Sequence, residues 1–320
     1  MTAPTPTTLD LEIAGLTHTG MVRPANEDMW ATEGFPIGQL IVVADGMGGH
    51  KAGEVASSLA ANGVVEALRE LAVKATPPEA LARAFQRANL AVYQQASKRS
   101  ESRGMGTTLT AAFIDGDAAI LAHVGDSRAY LVRGVKIEQL TRDHSWVAER
   151  VRQGILTADE AKTHRWRNVI TNAIGSFPQL RLDLFGLELR EGDTILLCSD
   201  GVSNVLSEEE MLEMIGGAVR SDLEKIAQTM IDAANAKGAP DNVTVVLARA
   251  HKLMPRKRNY RLPVLGSDIT SNANDPGEDT TNTMVVEPSG VTLPTPAWIP
   301  WAIAGGVVAA IIGVVLMVVR

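Results

Sequence analysis

Three apolar runs in this chain stop on an aspartate. LIVVA ends at Asp45, AAILAHVG at Asp126 and TILLCS at Asp200, while a fourth acid, Asp241, opens the run VTVVLA. A single aspartate at a strand end is an ordinary turn former. Four of them bordering buried strands constrain the fold more tightly. Strand ends that share one edge of a sheet converge, and desolvated carboxylates repel unless cations neutralise them. Carboxylates without His or Cys alongside favour hard, octahedral cations with oxygen ligands, Mg²⁺ or Mn²⁺ rather than Zn²⁺.

The runs themselves read as strands: 40–44, 108–114, 118–124, 129–132, 182–189, 194–199 and 243–248. Gly116-Asp117 and Arg133-Gly134 mark hairpin turns. Helical patterns fill 52–71, 78–100, 207–215 and 221–236. Strands joined mostly by short turns indicate antiparallel sheet rather than alternating βαβ units. Between about 141 and 176 lies a polar, helix-like excursion that carries Trp146, Trp166 and the basic pair Arg165 and Arg167. Near the start, Arg23 stands four residues before Glu27, which Asp28 follows directly. An arginine offers a planar fork of donors suited to phosphate oxygens. A carboxylate-held metal site beside it points to phosphoryl transfer to water.

Composition excludes several alternatives. With 30 basic and 37 acidic residues the net charge is −7, which argues against nucleic acid as a partner. One cysteine, Cys198, cannot form an intrachain disulfide and fits a reducing compartment. A cysteine-based phosphatase needs an arginine six residues after the nucleophile, and position 204 is Asn204. The stretch from Gly46 to Gly53 resembles a nucleotide loop but lacks Gly-Lys-Ser/Thr.

The C-terminal part differs from the rest. Residues 297–319 are all apolar, Gly or Pro, 23 in a row, against about 20 needed to cross a bilayer core. Trp298 and Trp301 sit at the entrance, where amphipathic rings favour the headgroup level. The expectation is a single transmembrane helix over 297–319. The stretch 253–296 holds six of the fifteen prolines and reads as a disordered linker. Within it, Glu278-Asp-Thr-Thr-Asn-Thr283 is an acidic-flanked threonine cluster; phosphorylation read by a phosphothreonine-binding domain is one reading, and a plain disordered linker is the expected one. The first fifteen residues carry no basic and apolar secretion signal, which leaves the catalytic part expected on the cytoplasmic face of the membrane.

The blocks TxxGxxRxxNED, VVADGMGGH, GTT, GDSRAYL, LLCSDGVSN and DNVTVVL occur in order over about residues 12–250. Together they strongly resemble the bacterial branch of the metal-dependent PPM (type 2C) protein Ser/Thr phosphatases. The resemblance implies an α+β fold, a four-layer α-β-β-α sandwich with two central, mainly antiparallel sheets, over residues 8–252. It implies two Mn²⁺ or Mg²⁺ ions in a core site and a third, weaker one. Asp45 is then expected to bridge the two core ions. Asp200 and Asp241 complete the first, and Glu27 with the carbonyl of Gly46 holds the second. Asp126 joins Asp200 at the third. Arg23 grips the substrate phosphate, and Asp28 hydrogen-bonds metal-bound water. The excursion at 141–176 matches the family's flap, beside the active site. The implied reaction is hydrolysis of phosphoserine and phosphothreonine on proteins by a metal-bridged water, in opposition to a Ser/Thr kinase. The competing reading is a membrane-tethered pseudophosphatase that only binds phosphoproteins; degenerate members lose acids, and Glu27, Asp45, Asp200 and Asp241 are all present. Animal members place a His after the Asp-Gly as general acid. Here that position is Met47, which leaves a metal-bound water as the expected acid and His50 as the competing one.

Overall fold

The computed structural model describes residues 10–48, 51–98, 104–216, 222–255, 257–263 and 283–286. All of them fall in the first of two units into which the chain divides, Met1–Glu287. Two antiparallel sheets lie face to face. In the first the strand order is β1 (Asp10–His18), β11 (Val243–Lys252), β10 (Thr194–Cys198), β7 (Arg128–Arg133), β8 (Lys136–Gln139). In the second it is β12 (Thr283–Val286), β9 (Leu180–Glu188), β6 (Ala118–Val124), β5 (Leu109–Asp115), β3 (Gly38–Met47), β2 (Asp28–Phe35), with the short β4 (Gly106–Thr107) also on β3.

Burial explains this layering. Residues of β3, β5 and β6 alternate between two cores. Val42, Ala111 and Ile120 face α1 (Lys51–Leu71) and α2 (Pro77–Lys98). Ile41, Val43, Ala112 and Leu121 face the other sheet, where they meet Leu197 and Val246. On the far side, Leu196, Val245 and Leu247 pack against α6 (Glu208–Gly216) and α7 (Leu223–Ala236). Strands covered on both faces read as continuous apolar runs, whatever their pairing direction. Each fully buried Leu or Ile in these cores contributes about 1.5–3 kcal/mol. The observed layers are those of the expected α-β-β-α sandwich.

β1, β2 and β8 carry no continuous apolar run; each is at the edge of its sheet and mostly half-exposed or exposed. Edge position removes the need for apolar residues throughout, so no run marks them. The places of β1 and β2 matter, because the turn between them delivers Arg23, Glu27 and Asp28 to the sheet ends.

The linker boundary at 252 is corrected. Tyr260 and Leu262 pack on the core beneath α2, and the Tyr260 hydroxyl donates to Asp115 Oδ2 at 2.8 Å. Arg258 pairs with Asp117 and Glu188, and the Gly186 amide donates to the Pro263 carbonyl. Farther on, β12 pairs with β9 from Thr283 opposite Asp183 to Val286 opposite Leu180. Average composition over 253–296 hides these few anchoring residues among prolines and polar groups. Among the described residues no helix is long and apolar enough to cross a membrane, and the apolar run 297–319 lies outside them.

The excursion at 141–176 contains α3 (Trp146–Arg152) and α4 (Ala158–Thr163). Each starts on a side-chain cap: Ser145 accepts from the Ala148 amide, and Thr157 forms a reciprocal capping box with Glu160. Trp146 stacks on His164 and meets Trp166 edge-on. The excursion thus has its own small aromatic nucleus, and at its exit Ile174 joins the main core.

Candidate active site

The acids arrive from both sheets at one end of the sandwich. Asp45 sits near the end of β3, directly opposite Asp28 at the start of β2. Asp126 follows β6, and Asp200 follows β10 as the first residue of the short α5 (Asp200–Ser203). Asp241 precedes β11.

Their convergence is visible in what they do to one another's protons. Burial is the largest cause in every case, and neighbouring carboxylates add to it. Asp28 is pushed up to about 7, by desolvation and by the charges of Asp200 and Asp241, against a hydrogen bond from Thr244. Asp200 rises to about 6, by desolvation and Asp241, and a hydrogen bond with Asp45 opposes the rise. Asp126 rises to about 8, through desolvation, Asp200 and Asp143. Asp45 is held well above the usual carboxylate range by desolvation and by Asp28, Asp200, Asp126 and Asp241. Five of the predicted acids therefore feel one another as a single group.

The local scaffold holds each acid by its backbone. The Asp45 amide donates to Thr108 Oγ1 at 2.8 Å, and Thr108 Oγ1 in turn meets Ser127 Oγ at 2.7 Å. Thr107 Oγ1 donates to the Asp45 carbonyl. The Thr244 hydroxyl donates to Asp28 Oδ2 at 2.6 Å. Glu27 is fixed at both ends of its peptide unit: its amide donates to Asn242 Oδ1, and its carbonyl accepts from Ser57 Oγ and from the Gly46 amide. Gly53 of α1 presses against the Glu27 carboxyl so closely that a Cβ would lie 2.7 Å from Cδ. Asn242 also donates to the carbonyls of Thr19 and Ala25, the two ends of the loop bearing Arg23. In that loop Gly20 has φ +80°, and a Cβ there would meet the Asp241 carbonyl at 2.1 Å. Thr108, Ser127, Thr244, Ser57 and Asn242 were not singled out from sequence. The signal was there, in the GTT and DNVT blocks, but hydroxyls and amides beside acids look like turn residues until the partners are known.

Arg23 Nη2 donates to Asp241 Oδ2 at 2.6 Å, with its side chain half exposed. That bond, with the charges of Asp241, Glu27 and Asp200, raises the guanidinium pKa. Arg23 thus stands at the rim, facing both the acids and solvent. Met47 pairs with Gly106 at the end of β3, and His50 lies outside the described residues. Cys198 is buried in β10 with its thiol pushed up to about 12 by burial, which removes it from nucleophilic chemistry.

The donor set fits divalent cations. Asp28 Oδ1 and Asp200 Oδ1 are buried without a hydrogen-bond partner, a costly state for a carboxylate unless a cation meets it. Among the described residues no three His, Cys, Asp or Glu side chains form a ready-made cage. Ions here would keep several waters, as Mg²⁺ does when only one or two carboxylates reach it.

The match with known proteins is extensive. Residues 19–247 fit the family model described as protein phosphatase 2C. The chain belongs to the protein phosphatase 2C family. It is an enzyme, a serine/threonine protein phosphatase. It is 36% identical over 247 residues to the serine/threonine phosphatase stp of Listeria innocua, covering 76% of this chain and 97% of that one. The crystal structure of the Mycobacterium tuberculosis serine/threonine phosphatase PstP/Ppp superposes with a TM-score of 0.69 at 37% identity, over 76% of this chain and 99% of that one. A second structure, the PstP catalytic domain in complex with two manganese ions, gives a TM-score of 0.66 at 37% identity over 77% of this chain and all of that one.

The raised acids predict how metal-free stability depends on pH. A carboxyl whose folded pKa lies above its unfolded value near 4 binds more protons folded than unfolded between the two. Its stabilisation is complete below pH 4 and is lost as pH rises through about 6 for Asp200, 7 for Asp28 and 8 for Asp126. In chelator, the thermal midpoint is therefore expected to fall between pH 5.5 and pH 8.5. Saturating Mn²⁺ should flatten that fall. Differential scanning fluorimetry across the range, with and without metal, reads both.

Proposed function

We propose that this enzyme hydrolyses phosphoserine and phosphothreonine on proteins, in opposition to a Ser/Thr kinase and close to the inner face of a membrane. The observation that carries the chemistry is the group of mutually repelling, buried acids, two with orphaned oxygens, beside an arginine at the rim. Asp45, the Gly46 carbonyl and Glu27, with Asp200 and Asp241, would hold two Mn²⁺ or Mg²⁺ ions, and Asp126 with Asp200 a third. Bound there, such ions supply Lewis acidity and bring the pKa of a coordinated water from about 15.7 towards neutrality.

The chain's own residues do the rest. Arg23 binds the phosphate oxygens through the fork that now meets Asp241, and so orients phosphorus for in-line attack. Asp28, fixed through Oδ2 by Thr244, leaves Oδ1 as an acceptor for the attacking water. Asn242 keeps Glu27 and the Arg23 loop in one register, so phosphate clamp and acids hold their spacing. Nothing in this set requires a phospho-enzyme. The binding-module reading loses its ground, since each acid of the expected set is present and the set converges.

The direct test is phosphate release from a phosphothreonine peptide in Mn²⁺. No release under any divalent cation would overturn the proposal. Arg23→Ala is expected to raise KM with a smaller loss of kcat, lowering kcat/KM by about tenfold or more, since a charge-assisted contact of ~1.5–3 kcal/mol is removed. Steady-state kinetics checks the split, and an unchanged kcat/KM would remove Arg23 from the phosphate site.

The membrane part rests on the apolar run 297–319 with Trp298 and Trp301 at its entrance. On this reading the catalytic domain faces the cytoplasm, which the lack of a basic and apolar secretion signal in the first fifteen residues supports. Removal of residues 297–320 is expected to move the protein from the membrane pellet to the soluble fraction with kcat/KM retained. Recovery of the 320-residue chain in the soluble fraction after gentle lysis would contradict the anchor.

A further inference from the structure

The excursion at 141–176 is fastened at its two roots to the loops that carry site acids. At its exit, Ile174 and Thr107 exchange backbone hydrogen bonds of 2.9 and 3.2 Å, and Thr107 donates to the Asp45 carbonyl. At its entrance, Arg128 forks onto Asp143 and His123 Nε2 lies 3.1 Å from the Arg142 carbonyl, while His144 makes the contacts to the Gly125 turn. The His144 amide donates to the Gly125 carbonyl at 2.7 Å, and the His144 carbonyl accepts from the Thr171 amide at 2.8 Å. Its imidazole Nδ1 accepts from the Gly125 amide at 3.1 Å and lies 3.2 Å from Asn172 Nδ2. Nε2 lies 3.2 Å from Asp183 Oδ2 on β9. The ring also packs on His123, 4.8 Å between centroids. His123 is fully buried, is pushed down to about 4 chiefly by burial, and so stays neutral.

These contacts fix the tautomer. Two N–H donors converge on Nδ1, and Asn172 Nδ2 also donates to the Arg181 carbonyl, which settles the orientation of that amide. Nδ1 therefore carries no proton, and Nε2–H donates to Asp183. One residue thus joins four segments: the Gly125 turn, the exit segment at 171–172, β6 through His123, and β9. Gly125 directly precedes Asp126 and has φ +114°, and a Cβ there would meet Thr108 Cγ2 at 2.5 Å, so the turn sits tight against the residue that holds the Asp45 amide.

We propose that His144 is a positioning residue: it sets the entrance of the flap against the Gly125–Asp126 turn, and through it the surface that a protein substrate must cross. It touches no substrate itself. A small aryl phosphate needs the acids and Arg23 but little of the flap, whereas a phosphopeptide extends past it. Loss of the His144 contacts should therefore separate the two substrates. The proposal rests on the phosphatase reading for that comparison only.

The test uses the full-length enzyme with His144→Phe and, from the flap side, Asn172→Ala. His144→Phe is expected to lower kcat/KM on a phosphothreonine peptide by about tenfold or more, mainly through KM, the scale of loss that misplacement without direct contact produces. On p-nitrophenyl phosphate the change should stay within about threefold of wild type, a small fraction of that misplacement loss. Asn172→Ala should shift the same ratio in the same direction by less. His144→Asn, whose Oδ1 can still accept from the Gly125 amide, should recover part of the peptide activity. A readout independent of turnover is limited trypsin digestion: cleavage after Arg150, Arg152, Arg165 and Arg167 should be faster in His144→Phe and Asn172→Ala while the rest of the domain stays protected. Equal losses on both substrates, or unchanged cleavage of the flap in both variants, would overturn the proposal. A wild-type enzyme inactive on both substrates would count against the phosphatase reading, and the digestion would still decide the role of His144.

Discussion

Chelation of divalent cations is expected to abolish turnover, and Mn²⁺ to restore it. The acids of the site cannot replace the ions. At pH 7 burial and mutual repulsion leave Asp28 and Asp126 substantially protonated without metal and hold Asp45 well above the usual carboxylate range, and a carboxyl in either protonation state supplies no positive charge for the substrate phosphate. Arg23, bonded to Asp241, and Arg128, paired with Asp143, leave few positive charges against several carboxyls. The expected loss is at least about a thousandfold in kcat, since even one misplaced electrostatic donor in an active site costs 10²–10³. Phosphate release measured in EDTA and after Mn²⁺ add-back checks it. The same titration should raise the thermal midpoint. Binding at a hundredfold excess over Kd stabilises the native state by about 2.7 kcal/mol, or roughly 5–10 °C for a domain of this size. Full activity in thoroughly chelated enzyme would remove metal chemistry from this site.

What the sequence made legible follows from burial. Strands covered on both faces, such as β5 and β6, could be read directly as apolar runs, and the acids that interrupt or border such runs stood out for the same reason. The edge strands β1 and β2 carry no such mark. Nor could composition show that Arg258, Tyr260 and Leu262 return to the body, because three anchoring side chains do not alter the average over a proline-rich stretch. The site divides along a similar line. Asp45, Asp126, Asp200 and Asp241 could be named from sequence, since charge at the end of an apolar run is conspicuous, while the roles of Arg23, Glu27 and Asp28 came with the resemblance to the phosphatase family. The groups that hold them could not. Thr108, Thr244, Ser57 and Asn242 act over separations such as 216 residues between Asp28 and Thr244, and only the register of the two sheets brings them together. His144 is the extreme case. Its contacts reach Gly125, Asn172 and Asp183, and no local pattern distinguishes it from any other histidine in a turn.

Asp200→Asn should move activity and metal-free stability in opposite directions. The substitution keeps shape and can preserve the 3.1 Å contact with Asn204 by using the amide oxygen. It removes one charge from the centre of the group, where Asp200 raises the pKa of Asp28, Asp45 and Asp126 alike. It also removes a buried oxygen, Oδ1, that has no protein partner. In chelator at pH 8 the variant is therefore expected to melt a few degrees above wild type, where about 1 kcal/mol corresponds to roughly 2–4 °C. With Mn²⁺ the order should reverse, because the variant binds the ions more weakly and gains less from them. Turnover should fall by about 10²–10³-fold or more, through kcat rather than KM, since Arg23 still holds the phosphate. Scanning fluorimetry in EDTA and in Mn²⁺, beside steady-state kinetics, reads all three. A variant less stable than wild type in chelator would mean that Asp200 serves the fold, because a group kept for function at the expense of the metal-free protein must stabilise that protein when its charge is removed.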